Sequence, residues 1–371
     1  MMNEVVNSKQ FGQSISGLIE GKDFSRAEME GLFTQVLLDQ QSEMQQGAFL
    51  AALKAKGETV EEIAGSWDAI YNLDTIKLTP QLEQPLVENC GTGMDKLNTF
   101  NISTAASIVA AAGGVNMARH GSRAITSNCG TIDILEELGV GVECAPELIV
   151  KSIEEVGIGV LNGMDSKIHP TALGRILARI SFGTTLNIAA SLANPVYPKY
   201  GVRGVYSREL LKPVAKVMHK IGYKKAIVVH GLAEDGISGM DEASTLGRNH
   251  LVEIDETGQL KEYSIDPRSL GIEKASSKDI LPCQDRQSEA LELIKVLKGG
   301  GEKARSDIIA LNTALIFYLM DYHDQLKTAY EAAKEIINSG KAINKLKKWV
   351  QVQNSEPEKG LKKLDRLLAK I

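Results

Sequence analysis

The chain of 371 residues has few cysteines: Cys90, Cys129, Cys144 and Cys283. None belongs to a CxxC pair or stands at zinc-ligand spacing from a histidine, which argues against a structural zinc site and fits reduced thiols in a cytoplasmic protein. Basic charge is not in excess either. Lys and Arg number 42 against 47 Asp and Glu, a net charge of −5, so the cationic footprint of a nucleic-acid binder is missing. No apolar run reaches the ~18 residues of a membrane helix. The opening MMNEVVNSKQFGQ has neither the basic nor the apolar region of a secretory signal. Internal repeats and low-complexity linkers are also missing. What is left is an ordinary globular composition, 43% hydrophobic and 24% charged, long enough for two domains.

Helical signals fill the first 75 residues. Ser25–Glu28, SRAE, has capping-box spacing and is followed by Met29, Leu32, Phe33, Val36 and Leu37 at helical intervals. Ser42–Gln45 opens a second helix that ends near Lys56-Gly57, and Thr59–Glu62 caps a third. From about residue 85 short apolar strands alternate with helices. The strands are expected at Leu86–Asn89, Val115–Arg119, Gly157–Leu161 and Ala226–His230, and the helices at Ser103–Ala112, Thr131–Leu138 and Arg208–Ile221. This alternation predicts an α/β fold with a mostly parallel, covered sheet. Residues 251–264 alternate about Thr257-Gly258 and predict a hairpin; helices return over 287–350. The expected organisation is a small helical domain over 1–75, completed by helices near 165–195, and an α/β domain over 76–355. An amphipathic tail over 356–371 follows, with Leu361, Leu364, Leu368 and Ile371 on a face suited to packing or a dimer contact.

One stretch, CGTGMDKLNTFNISTA at 90–105, gathers small polar residues between a strand and a helix. Glycines there let the backbone approach a ligand, and successive N–H groups ahead of a helix N-terminus form an anion nest. Asn101, Ser103 and Thr104 add side-chain donors. Neither GxxxxGK[ST] nor GxGxxG is present, so the P-loop and dinucleotide patterns do not apply; a plain turn with a Ser/Thr N-cap is the structural alternative. The next segment, Ala118–Gly139, repeats the arrangement of strand, basic loop, hydroxyl-rich loop and helix. It brings Arg119, His120, Arg123, Thr126, Ser127 and Thr131. Two such loops at the carboxyl ends of parallel strands are where open α/β sheets bind ligands. Farther on, Asp241-Glu242 follows another strand in a glycine-rich stretch and suits a hard cation carrying phosphate oxygens. An acidic helix N-terminus would explain the pair equally well, and Glu234-Asp235 competes with it in the same loop.

These motifs, in this order, resemble those of the anthranilate phosphoribosyltransferases, a glycosyltransferase group that shares its fold with pyrimidine nucleoside phosphorylases. GTGMD, NTFNIST, RHGSR, VYSRELL and MDE all take part, and the likeness runs from KGETVEEIAG (56–65) to SGKAINKL (339–346). The resemblance implies a helical domain beside an α/β domain and a cytoplasmic homodimer. It implies Mg2+, phosphoribosyl pyrophosphate (PRPP) as donor and the amine of an aromatic acid, most closely anthranilate, as acceptor. By that likeness Gly91, Thr92, Gly93, Asp95, Asn98, Thr99, Asn101, Ser103, Thr104, Arg119, Ser122, Thr126 and Cys129 hold the donor. Gly91, His120, Ser122, His169 and Arg179 border the acceptor. Ser103, Asp241 and Glu242 hold the metal. No general base is assigned, because a neutral aromatic amine is already nucleophilic; His120 is a candidate orienter. The chain departs from the family pattern at Met94, where GTGGD has its second glycine, and at Lys96, Arg119, Ser122 and Cys129. VLNGMDSKIHP replaces the usual segment before His169-Pro170, two residues are missing after Gly183, and the acidic loop is longer. The acceptor side is therefore altered more than the donor side. A different aromatic acceptor, a nucleoside phosphorylase and a non-catalytic nucleic-acid-binding relative are the rival readings.

Overall fold

The computed structural model describes residues 8–95, 97, 99–124 and 129–371; Lys96, Asn98, Thr126 and Ser127 lie outside them. Four helices come first: α1 (Ser8–Ile19), α2 (Arg26–Leu37), α3 (Glu43–Lys56) and α4 (Val60–Asp74). Three of their starts follow from side-chain caps. Ser25 accepts from the Glu28 N–H while the Glu28 carboxylate accepts from the Ser25 N–H at 2.9 Å. Thr59 and Glu62 form the same reciprocal pair, and Ser42 accepts from the Gln45 N–H. Each cap of this kind contributes ~1 kcal/mol. Phe49 joins the bundle by packing against Phe11 and Phe33, with ring centroids 5.3 and 5.5 Å apart.

The strands are β1 (Leu86–Cys90), β2 (Asn116–Gly121), β3 (Ile158–Asn162), β4 (Tyr200–Gly204), β5 (Lys225–Leu232), β6 (Gly239–Met240), β7 (Asn249–Ile254) and β8 (Leu260–Ile265). Among the described residues they form one sheet in the order β3-β2-β1-β4-β5-β7-β8, with β6 paired to β5. The first five in that order are parallel, and β7 and β8 add antiparallel as the expected hairpin. Between the strands run α5 (Ile102–Ala112), α6 (Thr131–Glu137), α7 (Pro146–Val156), α8 (Leu173–Leu177), α9 (Leu186–Ala189) and α10 (Leu211–Lys220). The chain ends in α11 (Arg286–Leu297), α12 (Lys303–Leu319), α13 (Leu326–Asn338), α14 (Lys341–Val352) and α15 (Pro357–Leu368). No helix among the described residues is long and apolar enough to cross a membrane.

Two cores flank the sheet. One joins Phe33, Leu53 and Ile70 of the first helices with Leu173 and Ile176 of α8, Leu186 and Ile188 of α9, and Val214 of α10. The other packs α5 and the last helices against the opposite face, around the fully buried Trp349. The tail belongs to this second core. Leu364 and Leu367 are buried there, with Leu361 and Leu368 packed beside them, while Ile371 is exposed; each fully buried leucine contributes ~1.5–3 kcal/mol. Just past α14, Gln353 reaches the edge strand β3. Its amide accepts from the Val160 N–H at 3.0 Å and donates to the Val160 carbonyl at 2.9 Å.

Candidate active site

Strand order reverses at β1, with β2 on one side and β4 on the other. Such a switch point opens a crevice at the carboxyl ends of the strands. A cavity of about 720 Å³ lies there, lined by the loop after β1, the first turn of α5, the end of β2 and the segment around α8 and α9. Gly91, Thr92, Gly93, Asp95, Thr99, Asn101, Ser103, Thr104, Arg119, His120, Ser122, Cys129, Asp241 and Glu242 all line it. The fold thus gathers those expected residues on one surface from segments up to 151 positions apart (91 to 242). Asn98 and Thr126 lie outside the described residues.

The acidic pair is held by the glycine loop itself. Asp241 Oδ2 accepts from the Gly93 N–H at 2.5 Å and from Thr92 Oγ1 at 3.2 Å, and Glu242 Oε1 accepts from Ser103 Oγ at 3.1 Å. One amide of the expected anion nest is therefore turned to the protein's own carboxylate. A third acid joins the pair. Asp95, Asp241 and Glu242 each offer a carboxylate oxygen, all within 4.8 Å of one another. Asp95 Oδ2 and Glu242 Oε2 are buried with no hydrogen-bond partner. Burial first, and the Asp241 charge second, push the Asp95 carboxyl up to about 8; the same causes, with Asp95 added, raise Glu242 well above its usual range. Crowded acids with orphaned oxygens fit a divalent cation that takes hard oxygen ligands. The competing pair does not share this place. Exposed Asp235 caps its own turn through the Ile237 and Ser238 N–H groups, at 2.9 and 2.8 Å, and Glu234 accepts from the Ser277 N–H.

A raised carboxyl pKa means that the folded state holds a proton the unfolded chain would release. Stability is then lost as pH rises through the window between the two values. In metal-free buffer Asp95→Asn is expected to be more stable than wild type, with a gap that is small near pH 3.8 and widens toward pH 8. Thermal midpoints of both proteins across that range measure it, and a gap that stays constant would remove the repulsion argument.

The basic residues take three different roles. Arg119 forms the cavity floor, buried to 2% exposure. It donates to the Asn89 carbonyl, to Thr104 Oγ1 at 3.2 Å and to Thr131 Oγ1 at 3.1 Å, so it ties β1 to the starts of α5 and α6. Arg123 also lines the cavity, but its charge is matched by Asp133, Glu136 and Glu143 at 3.3, 2.8 and 2.7 Å. Arg179 is not brought into the cavity: its guanidinium is at the surface, paired with Glu43, and its neighbour Ile180 does the lining.

His169 is likewise behind the wall rather than in it. Its Nδ1 faces the Asp74 carbonyl at 2.6 Å, so that nitrogen carries the hydrogen; its Nε2 lies 3.0 Å from His120 Nε2, and the other ring nitrogen of His120 faces the Ser191 carbonyl at 3.3 Å. Burial and the neighbouring ring hold His120 down to about 3, so it is neutral and acts as a hydrogen-bonding group rather than an acid. The expected acceptor residue His169 thus does not line the cavity and touches it only by way of His120.

The sequence reading missed the opposite wall. Leu173, Leu177, Ile180, Phe182 and Leu186 make it apolar, with Asn187 and Ser191 at its inner end. Arg203 of β4 sits behind these two, donating to the Asn187 carbonyl at 3.3 Å and to Ser191 Oγ. An apolar-periodic run over 173–190 was the signal for this wall, and it pointed to helices without saying what they face.

Known proteins share this fold. Residues 83–343 match the glycosyl transferase family a/b domain, and residues 13–73 match that family's helical bundle domain. The anthranilate phosphoribosyltransferase of Persephonella marina is 37% identical over 336 residues, covering 90% of this chain and 96% of the relative. The anthranilate phosphoribosyltransferase structure from Thermus thermophilus superposes with a TM-score of 0.80 at 30% identity, over 91% of this chain and 98% of that one. That of Saccharomyces cerevisiae in complex with PRPP and Mg superposes at 0.79 over 97% and 99% of the two chains, and at 23% identity it speaks to the fold.

Proposed function

The chain belongs to the anthranilate phosphoribosyltransferase family of glycosyl transferases, and from that premise we propose how its cavity works. The protein is a phosphoribosyltransferase that moves the phosphoribosyl group of PRPP to the amine of anthranilate and releases pyrophosphate. The observation that carries the reading is one cavity with an anion-ready glycine loop and a carboxylate trio on one side and an apolar wall on the other. A polyanionic donor and a flat aromatic acceptor need such a divided site.

Asp95, Asp241 and Glu242 would hold Mg2+, with Ser103 braced on Glu242, and bound there the ion supplies positive charge to the departing pyrophosphate. The loop 91–95 and the first turn of α5 hold the diphosphate through backbone N–H groups and the helix dipole. Thr104, Asn101 and Thr99 add side-chain donors, while the Ser103 hydroxyl is already given to Glu242. The apolar wall holds the acceptor ring so that its amine meets the anomeric carbon in line, a positioning effect that needs no strong base. Neutral His120, fixed in orientation by His169, is the polar contact on that side. The same reading extends to a cytoplasmic homodimer, as the family resemblance implies.

Arg179 lies outside the cavity here, and its assignment to the acceptor carboxylate requires the side chain to leave Glu43 and turn inward. It is more than half exposed where it pairs with Glu43, and exposed ion pairs contribute only ~0–1 kcal/mol, so exchanging that partner for a substrate carboxylate costs little. Pyrophosphate release from PRPP, Mg2+ and anthranilate tests the whole reading in one experiment. Wild type is expected to turn over. Arg179→Ala is expected to raise the anthranilate KM about 10-fold or more, the loss of a charge-assisted contact of ~1.5–3 kcal/mol, with the PRPP KM little changed. Absence of PRPP-dependent release would sink the function, and equal shifts in both KM values would sink the Arg179 role.

A further inference from the structure

Met94 is where the donor loop meets the acceptor wall. Its side chain lies against Gly183, in the space that any side chain at 183 would need. A β-carbon built on Gly183 would stand 2.4 Å from Met94 Cε, 3.1 Å from Sδ and 3.5 Å from Cγ. Real β-carbons do not approach other atoms to 2.4 Å, so the thioether fits because position 183 is glycine. Both residues line the cavity, and so does Phe182, which is nonetheless 48% exposed. The contact is therefore at the mouth, where the apolar wall would otherwise end in solvent. One residue after Met94 the carboxylate trio begins with Asp95.

These positions give Met94 a defined task. The wall of Leu173, Leu177, Ile180 and Leu186 offers an apolar slot for a flat ring, but on its own it sets no limit at the outer edge. An unbranched, polarizable thioether adapts to an aromatic edge. From its contact with Gly183 it closes that edge on the side facing the donor. We propose that Met94 is a specificity-determining residue: with Gly183 beneath it, it limits how large an aromatic acceptor fits between the apolar wall and the carboxylates. The inference rests on the phosphoribosyltransferase reading for the nature of the acceptor; the steric fit of Met94 on Gly183 stands without it.

The test compares anthranilate with its naphthalene analogue, larger by one fused ring. Met94→Gly is expected to raise kcat/KM for the analogue relative to anthranilate by about tenfold or more, the range that a few methylene-sized contacts control. The PRPP KM should move by less than about threefold, since the loop holds the donor through backbone N–H groups and not through the Met94 side chain. Gly183→Ala should displace the Met94 thioether tip and move the ratio away from its wild-type value. Placed in the Met94→Gly background it should add less than about twofold, because the two substitutions act on one contact. Met94→Leu, close in volume, should keep the wild-type ratio and shows whether the loop tolerates replacement. A ratio in Met94→Gly within about twofold of wild type, or independent multiplicative effects of the two substitutions, overturns the proposal. Dissociation constants for both acceptors, read by fluorescence titration with Mg2+ and pyrophosphate in place of PRPP, separate the two readings. A wild type that binds anthranilate in preference to the larger ring yet releases no pyrophosphate overturns the enzymatic reading alone. An unchanged binding preference in Met94→Gly overturns the size limit alone.

Discussion

A protein carrying Asp241→Asn together with Glu242→Gln is expected to fold, to melt at a higher temperature than metal-free wild type, and to lose about 10²–10³-fold or more of its magnesium-dependent pyrophosphate release. The opposite signs come from one cause. Three carboxylates within 4.8 Å of one another, two of them with orphaned buried oxygens, repel one another in the absence of a cation. Neutral amides remove that repulsion and keep the geometry, since an amide oxygen at 241 still accepts from the Gly93 N–H and Thr92 Oγ1. Activity then falls because neutral ligands bind Mg2+ weakly, and stability rises because the site is no longer built for charge. Added Mg2+ should raise the midpoint of wild type and leave the double variant where it is. Unchanged turnover in the double variant would refute the metal assignment, and a lower midpoint in metal-free buffer would refute the repulsion.

Gly91→Ala should cost about as much activity, near 10²-fold, without deleting any functional group. The new methyl would stand 2.4 Å from Asp241 Oδ2 and 2.6 Å from its Cγ. Asp241 has no room to retreat. Its own carbonyl packs on Gly204 so closely that a β-carbon at 204 would fall 1.5 Å from it. The side chain of Asp241 must therefore swing away from Gly93, and the oxygen it offers to the carboxylate trio goes with it. The overpacking also costs about 1–3 kcal/mol of stability. Kinetics as a function of Mg2+ concentration, alongside a thermal melt, would check both effects. If turnover stays within about threefold of wild type in a folded protein, Gly91 does not set the position of Asp241.

Much of this architecture was legible before any coordinates, for reasons that differ from element to element. The caps at Ser25, Ser42 and Thr59 act over three or four residues, so they could be read locally, and the helices start where those residues stand. Strands β1, β2, β3 and β5 carry apolar runs and were found within a residue or two. Strand β4 was not found, although it lies in the middle of the sheet. Its sequence, YGVRG, has glycines at 201 and 204 and a buried arginine at 203, and no apolar run signals it. Those glycines make room for Tyr223 and Met218 at 201 and for Asp241 at 204, so the very packing that needs them erases the strand pattern.

The candidate site divides in the same way. The glycine loop, the hydroxyls at 103 and 104 and the acidic pair are motifs, and motifs survive in one dimension. The grouping of Asp95 with Asp241 and Glu242 as one trio does not, because only the fold brings position 95 beside position 241. Nor could the sequence tell that Glu234 and Asp235 are spent on turn hydrogen bonds, or that Arg123 is already surrounded by three carboxylates. For the tail, counting apolar positions gave the right face and the buried Leu364, but Leu367 is buried beside it and Ile371 is exposed.

Gln353 has a use that goes beyond holding the tail. Strand β3 ends the sheet on its side, and a bare outer strand is a template for another chain. By offering one acceptor and one donor to Val160, a single glutamine amide imitates the next strand where a stranger would dock. The indole N–H of Trp349, bonded to the same oxygen at 2.8 Å, keeps that amide from turning away. The last two helices thus serve as the sheet's selvedge, and a chain clipped before residue 353 would leave the fabric free to be sewn to its neighbour.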